Sequence, residues 1–172
     1  MTSISQTAGA IALILLFTAD TAHTDGVGEP TAVSSRDGEY LDKDGNPTFK
    51  VANDGTVDWY TYVGYLRYGA NCLQCHGPDG LGSTYAPSLV DSLKSLSYAD
   101  FLSIVAAGKK EVNTAQEQVM PSFGANRNVM CYIDAIYVYP RARSDGALSR
   151  QRPEKHELKT DAFTKAEDSC MG

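Results

Sequence analysis

Apolar side chains recur at helical spacing in three stretches of the chain. Val57, Tyr60, Val63, Gly64 and Tyr68 share one face and predict a first helix over 57–72. A second opens at Ser97, whose hydroxyl can cap the helix with Asp100 three places on. It continues through Phe101, Ile104 and Val105 and closes at Gly108. A third starts near Asn128, with Val129, Tyr132, Ile133, Ile136 and Tyr137 on one side, and is expected to stop at Pro140 because proline breaks the hydrogen-bond ladder. No strand-like alternation stands out, so the pattern predicts an all-α protein. Gly- and Pro-containing loops join the helices, among them Gly77-Pro78-Asp79-Gly80-Leu81-Gly82 and the segment around Met120-Pro121.

The ends of the chain differ from this middle. Ala10 to Phe17 is the one long apolar run, too short to span a bilayer comfortably but of the form of an export signal. Residues 1–22 are read as a signal peptide, removed after Ala22, which places the protein in the periplasm. If the segment is retained, it anchors the chain to a membrane. Residues 23–53 form an irregular extension rich in turn pairs such as Asp37-Gly38 and Asp44-Gly45. Asp42 to Asn46 has the start of a calcium loop, but position twelve is Asn53 where a bidentate Glu is needed, so a solvated turn is the better reading. Residues 144–172 form a charged tail, expected to hug the surface or to move freely.

The 172 residues are about right for one domain, and the net charge of -6 argues against nucleic acid as a partner. What changes the picture is Cys72-Leu73-Gln74-Cys75-His76. Two thiols three residues apart can bond to the two vinyl groups of one haem, and the next side chain is an imidazole that can bind its iron. A zinc site would need two more ligands at close spacing, and Cys131 and Cys170 have no such neighbours. A thioredoxin-like pair would need a preceding strand and a parallel sheet. With three histidines in the chain and only His76 behind a C-x-x-C pair, one covalent haem c is expected.

For the sixth iron position a downstream methionine on a loop is the natural ligand. Met120, stiffened by Pro121, fits best; Met130 is the competitor, although a core-packing role suits its helix, and a histidine or an open site are the remaining alternatives. Pro87 either offers a backbone carbonyl that orients the imidazole of His76 or is a plain turn proline.

These features resemble a class I cytochrome c: a helix running into Cys72 to His76, Pro87 after it, and Met120-Pro121 before a last aromatic helix. The stretches from Asp54 to Tyr62, Cys75 to Gly82 and Val129 to Asp134 are similar to the methanol-metabolism-related c-type cytochromes of methylotrophic bacteria, over roughly residues 36–158. The resemblance implies three main helices around one haem, within a cytochrome c domain at 54–143. It implies electrons accepted from a periplasmic quinoprotein methanol dehydrogenase, often lanthanide-dependent, and passed to a downstream cytochrome or oxidase. It also implies a second cysteine pair, here Cys131 and Cys170. Pro140 departs from the family's usual residue and puts the docking of Tyr139 in doubt. The expected role is electron transfer rather than catalysis. A general periplasmic shuttle to a terminal oxidase stays open as an alternative, whereas a haem enzyme would need a distal acid-base group that the sequence does not offer.

Overall fold

The computed structural model describes residues 31–112 and 117–172; the expected signal peptide and His23 lie outside them. Three short strands, β1 (Ser34–Arg36), β2 (Glu39–Leu41) and β3 (Pro47–Thr48), pair antiparallel in that order. Helix α1 (Trp59–Asn71) leads into a one-turn helix α2 (Leu73–His76), and α3 (Leu89–Ser92) and α4 (Tyr98–Ala107) follow. A hairpin of β4 (Lys109–Val112) and β5 (Glu117–Met120) precedes α5 (Arg127–Met130), α6 (Ile133–Ser144) and the C-terminal α7 (Asp161–Met171).

The first helix begins two residues later than its apolar face suggested, because Asp58 caps it. The Asp58 carboxylate accepts from the Thr61 N–H at 2.8 Å and from the Lys50 N–H at 2.8 Å, while Val57 bridges to Val51 and His156. The second helix is capped by Ser97 and ends at Gly108, as its spacing predicted. The third is broken: α5 stops at Met130, Cys131 and Tyr132 turn, and α6 then runs on to Ser144 with Pro140 inside it. Pro140 therefore does not end the helix. Proline forfeits the amide bond toward Ile136, but residues 133 and 135–143 of this helix are buried, and that packing outweighs one lost bond. Tyr139 docks fully, 1% exposed, with its ring 5.5 Å from Tyr65 and 5.3 Å from Tyr68.

Helices α1 and α6 cross at Gly64. A Cβ there would lie 1.9 Å from the Ala135 carbonyl oxygen, so only glycine lets the backbones meet. The core gathers around this crossing, from Val63, Leu93, Phe101 and Val105 to Val129, Ile136 and Val138.

The expected all-α pattern misses two small sheets, both too short and too polar for alternation to show. The extension at 23–53 is, over its described part, a three-stranded sheet rather than irregular chain. Its turn at Asp42 uses the carboxylate on the chain itself, Oδ1 accepting from Asp44 N–H (2.9 Å) and Asn46 N–H (2.8 Å), which explains the calcium-like spacing without an ion. The charged tail is ordered too: Thr160 caps α7, and Cys131 is bonded to Cys170, 39 residues on. No helix among the described residues is long and apolar enough to cross a membrane.

Candidate functional site

Helix α1 ends where the cysteine motif begins. Cys72 N–H still bonds to the Tyr68 carbonyl at 2.8 Å, its backbone stays in the right-handed helical region, and α2 follows at once. The Cys75 and His76 N–H groups return to the Cys72 carbonyl at 3.2 and 2.9 Å, and Gly77, with φ of 78°, closes the turn in a conformation other residues rarely adopt. One tight turn thus carries a partly buried Cys72, an exposed Cys75 and a buried His76.

The imidazole of His76 is 7% exposed, and its Nδ1 lies 3.0 Å from the Pro87 carbonyl oxygen. A carbonyl can only accept, so Nδ1 carries the proton and Nε2 keeps its lone pair for a metal. Burial holds the imidazole pKa below its usual value, with the Pro87 bond pulling the other way, so the neutral ligand form prevails. The Cys72 thiol is pushed up to about 12, by burial first and by Cys75 second. A thiolate at Cys72 is disfavoured, whereas a thioether has no charge to desolvate.

His76 and Cys72 open on one cavity, shared between the helices and the loops that follow them. Its wall is apolar, with Leu89, Phe101, Val105, Phe123, Val129, Ile136 and Pro140, and Met120 completes it. Met120 sits at the end of β5, not on a free loop. Its neighbours are stitched to α4: Ser122 Oγ donates to the Ala106 carbonyl at 2.6 Å, and the Phe123 and Gly124 N–H groups donate to Val105 and Ala106 at 3.0 Å each. Gly108 makes room, since a Cβ there would stand 2.7 Å from the Met120 carbonyl oxygen. Met130 lines a different cavity, beneath α7 with Tyr60 and Phe163.

The donor set is one neutral imidazole and one thioether in an oily wall, with two cysteines beside it. That suits a planar, apolar macrocycle holding iron, and it suits neither zinc nor calcium. Among the described residues no group of three or more His, Cys, Asp or Glu could hold a metal ion. His156, which a distal role would require near the cavity, is instead stacked on Tyr62 with ring centroids 3.8 Å apart.

Comparison with known proteins fits this chemistry. Residues 63–139 match the family model described as "Cytochrome C oxidase, cbb3-type, subunit III". Cytochrome c-555 of Methylococcus capsulatus (strain Bath) is 39% identical over 100 residues, covering 58% of this chain and 75% of that protein. The chain belongs to the c-type cytochromes. Cytochrome c-553I of Paracoccus denitrificans is 59% identical to this cytochrome over 125 residues, which are 73% of this chain but 55% of that relative, so the chain spans about half of the relative's length. The crystal structure of the c-type cytochrome XoxG from Methylobacterium extorquens AM1 superposes with a TM-score of 0.76 at 55% identity, over 82% of this chain and 86% of that one. The fold of the cytochrome is that of class I.

The sequence reading named the cysteines, His76, Pro87 and Met120, but not the wall of the cavity. Phe101, Val105 and Ile136 were visible as helix faces, without any sign of which helices would face one another. Pro140, read as a terminator, lines the cavity with its ring. The tail gave no hint that it would reach the loop behind His76.

Proposed function

We propose that this protein carries one haem c, bonded through Cys72 and Cys75 and ligated by His76 and Met120, and that it shuttles single electrons in the periplasm. In this reading it accepts them from a quinoprotein methanol dehydrogenase and gives them to a downstream cytochrome or oxidase. The observation that carries it is the pairing of His76, Nδ1 tied to Pro87 at 3.0 Å and Nε2 free, with Met120 on one apolar cavity. When bound, the group supplies a reversible one-electron couple. The chain does the rest: Pro87 orients the imidazole, the apolar wall excludes water, and the α4-anchored β5 keeps the thioether in place. Pro87 thus has the carbonyl-acceptor role rather than that of a plain turn proline.

The donor assignment draws support from the likeness to XoxG and from the sequence resemblance to cytochromes of methanol metabolism. Stopped-flow mixing of the ferric protein with a reduced quinoprotein methanol dehydrogenase tests it. Reduction on the turnover timescale is expected, with a rate that changes with ionic strength because a chain of charge -6 is steered by the field of its partner. No reduction at any salt concentration removes this donor. The axial ligand is tested by the near-infrared sulfur-to-iron band: the band is expected to vanish in Met120→Ala, and its survival would exclude Met120.

A further inference from the structure

The segment between α2 and α3 folds back on itself in two touching layers. Gly82 N–H donates to the His76 carbonyl at 2.9 Å, Ser83 N–H to Ala86 at 2.9 Å, and Leu89 N–H to Gly80 at 2.8 Å. A Cβ on Gly82 would stand 2.9 Å from the Pro87 carbonyl carbon and 2.7 Å from the Ser88 nitrogen. The oxygen that accepts from His76 is therefore placed by the layer 77–82 pressed against it, not by the proline ring.

That layer hangs from the far end of the chain. Arg143, on α6 and 8% exposed, donates through Nε to the Asp79 carbonyl at 3.3 Å and through a terminal nitrogen to the Leu148 carbonyl at 2.9 Å. The Asp79 carboxylate, itself 6% exposed, pairs with Arg150 Nε at 2.5 Å. A buried guanidinium is costly unless its donors are used, and here they are used on backbone rather than on a neighbouring carboxylate. The arrangement makes little sense as a surface ion pair. It makes sense as a brace for one loop.

We infer that Arg143, aided by Arg150 through Asp79, is a positioning residue for His76: by fixing the 77–82 layer it fixes the Pro87 carbonyl, and so sets the strength of the Nδ1–H···O bond. A stronger bond makes the imidazole a better electron donor and favours ferric iron. The inference rests on His76 being an iron ligand, as proposed above.

The test uses the holoprotein with Arg143→Lys, which keeps the charge but loses the planar fork, and Arg150→Gln, whose exposed guanidinium is removed with little risk to folding. Arg141→Lys is the control. Arg141 is as buried, at 3% exposed, but it bonds Asp145 and the Leu93 carbonyl, neither of them in the loop. Two readouts are taken: hydrogen exchange of the His76 Nδ1–H by NMR in the ferrous state, and the midpoint potential. Both test variants are expected to exchange faster, on the order of tenfold for the loss of one hydrogen bond's worth of restraint. The potential of Arg143→Lys is expected to rise, while Arg141→Lys loses stability without moving either readout. If Arg143→Lys and Arg150→Gln are less stable yet match wild type in exchange and potential, or if Arg141→Lys shifts both equally, the positioning role is wrong. A wild-type protein without haem or without a protected Nδ1–H would instead overturn the reading of the site itself.

Discussion

Glu39 is a carboxyl group held almost out of water, 4% exposed, with Oε2 at 3.0 Å from the Arg36 guanidinium and Oε1 lacking any N–H or O–H partner. Burial, reinforced by the neighbouring Asp134 carboxylate, raises its pKa from 4.5 to about 7. Across that window the folded chain binds more protons than the unfolded one. The stabilising contribution of the protonated group is therefore complete below pH 4.5 and is lost as the pH rises through about 7. Glu39→Gln is expected to flatten this dependence, seen as similar denaturation midpoints at acidic and neutral pH where wild type weakens toward neutrality. An unchanged slope in the variant would exclude Glu39 as its source. Nothing in the polar run around Glu39 marks it as buried, and the carboxylate that acts on it, Asp134, lies far along the chain.

Elements met in ways their own sequences did not dictate. Gly64 looked like one apolar position among several on the α1 face, but its value lies in the 1.9 Å separation that a Cβ would have from the Ala135 oxygen. Gly64→Ala gains about 1 kcal/mol of helix propensity and is expected to lose about 3 kcal/mol to overpacking, for a net cost near 2 kcal/mol in guanidinium unfolding. A variant as stable as wild type would mean that the helices can separate without penalty. Pro140 shows the same dependence on context: helix-breaking by local rules, it is carried through by an α6 whose Val138, Tyr139 and Ala142 are fully buried. The β4–β5 hairpin went unseen because Lys109-Lys110-Glu111-Val112 has no alternating pattern; pairing with Glu117–Met120 makes it a hairpin.

At the scale of the whole molecule, the C-terminal segment works as a clamp. It crosses α1, where Arg152 donates to the Tyr62 hydroxyl at 2.8 Å, and ends in α7, bound to the α5–α6 junction by the Cys131–Cys170 bond. Closing a loop of 39 residues stabilises by about 4 kcal/mol in the chain-entropy model. Cys131→Ser with Cys170→Ser is expected to lose about that much stability, read from denaturant midpoints. Its haem absorbance should match wild type, because the disulfide lines the cavity under α7 and not the one that holds His76. A large loss of haem in that variant would show that the clamp and the site are one unit.

The one-dimensional chain was enough to name the candidate chemistry of this protein: a C-x-x-C-H turn, a methionine before a proline, and three helical faces need only residue types and spacing to be read. The likeness to c-type cytochromes follows from those. What the tertiary structure alone decided is everything that joins residues distant in sequence: the glycine-mediated crossing of α1 and α6, the burial of Glu39, the survival of α6 through Pro140, and the reach of Arg143 and Arg150 to the loop behind His76. Spacing encodes what a segment can become, since periodicity is local. Which segments share a core depends on packing and desolvation, which exist only once the chain has closed on itself.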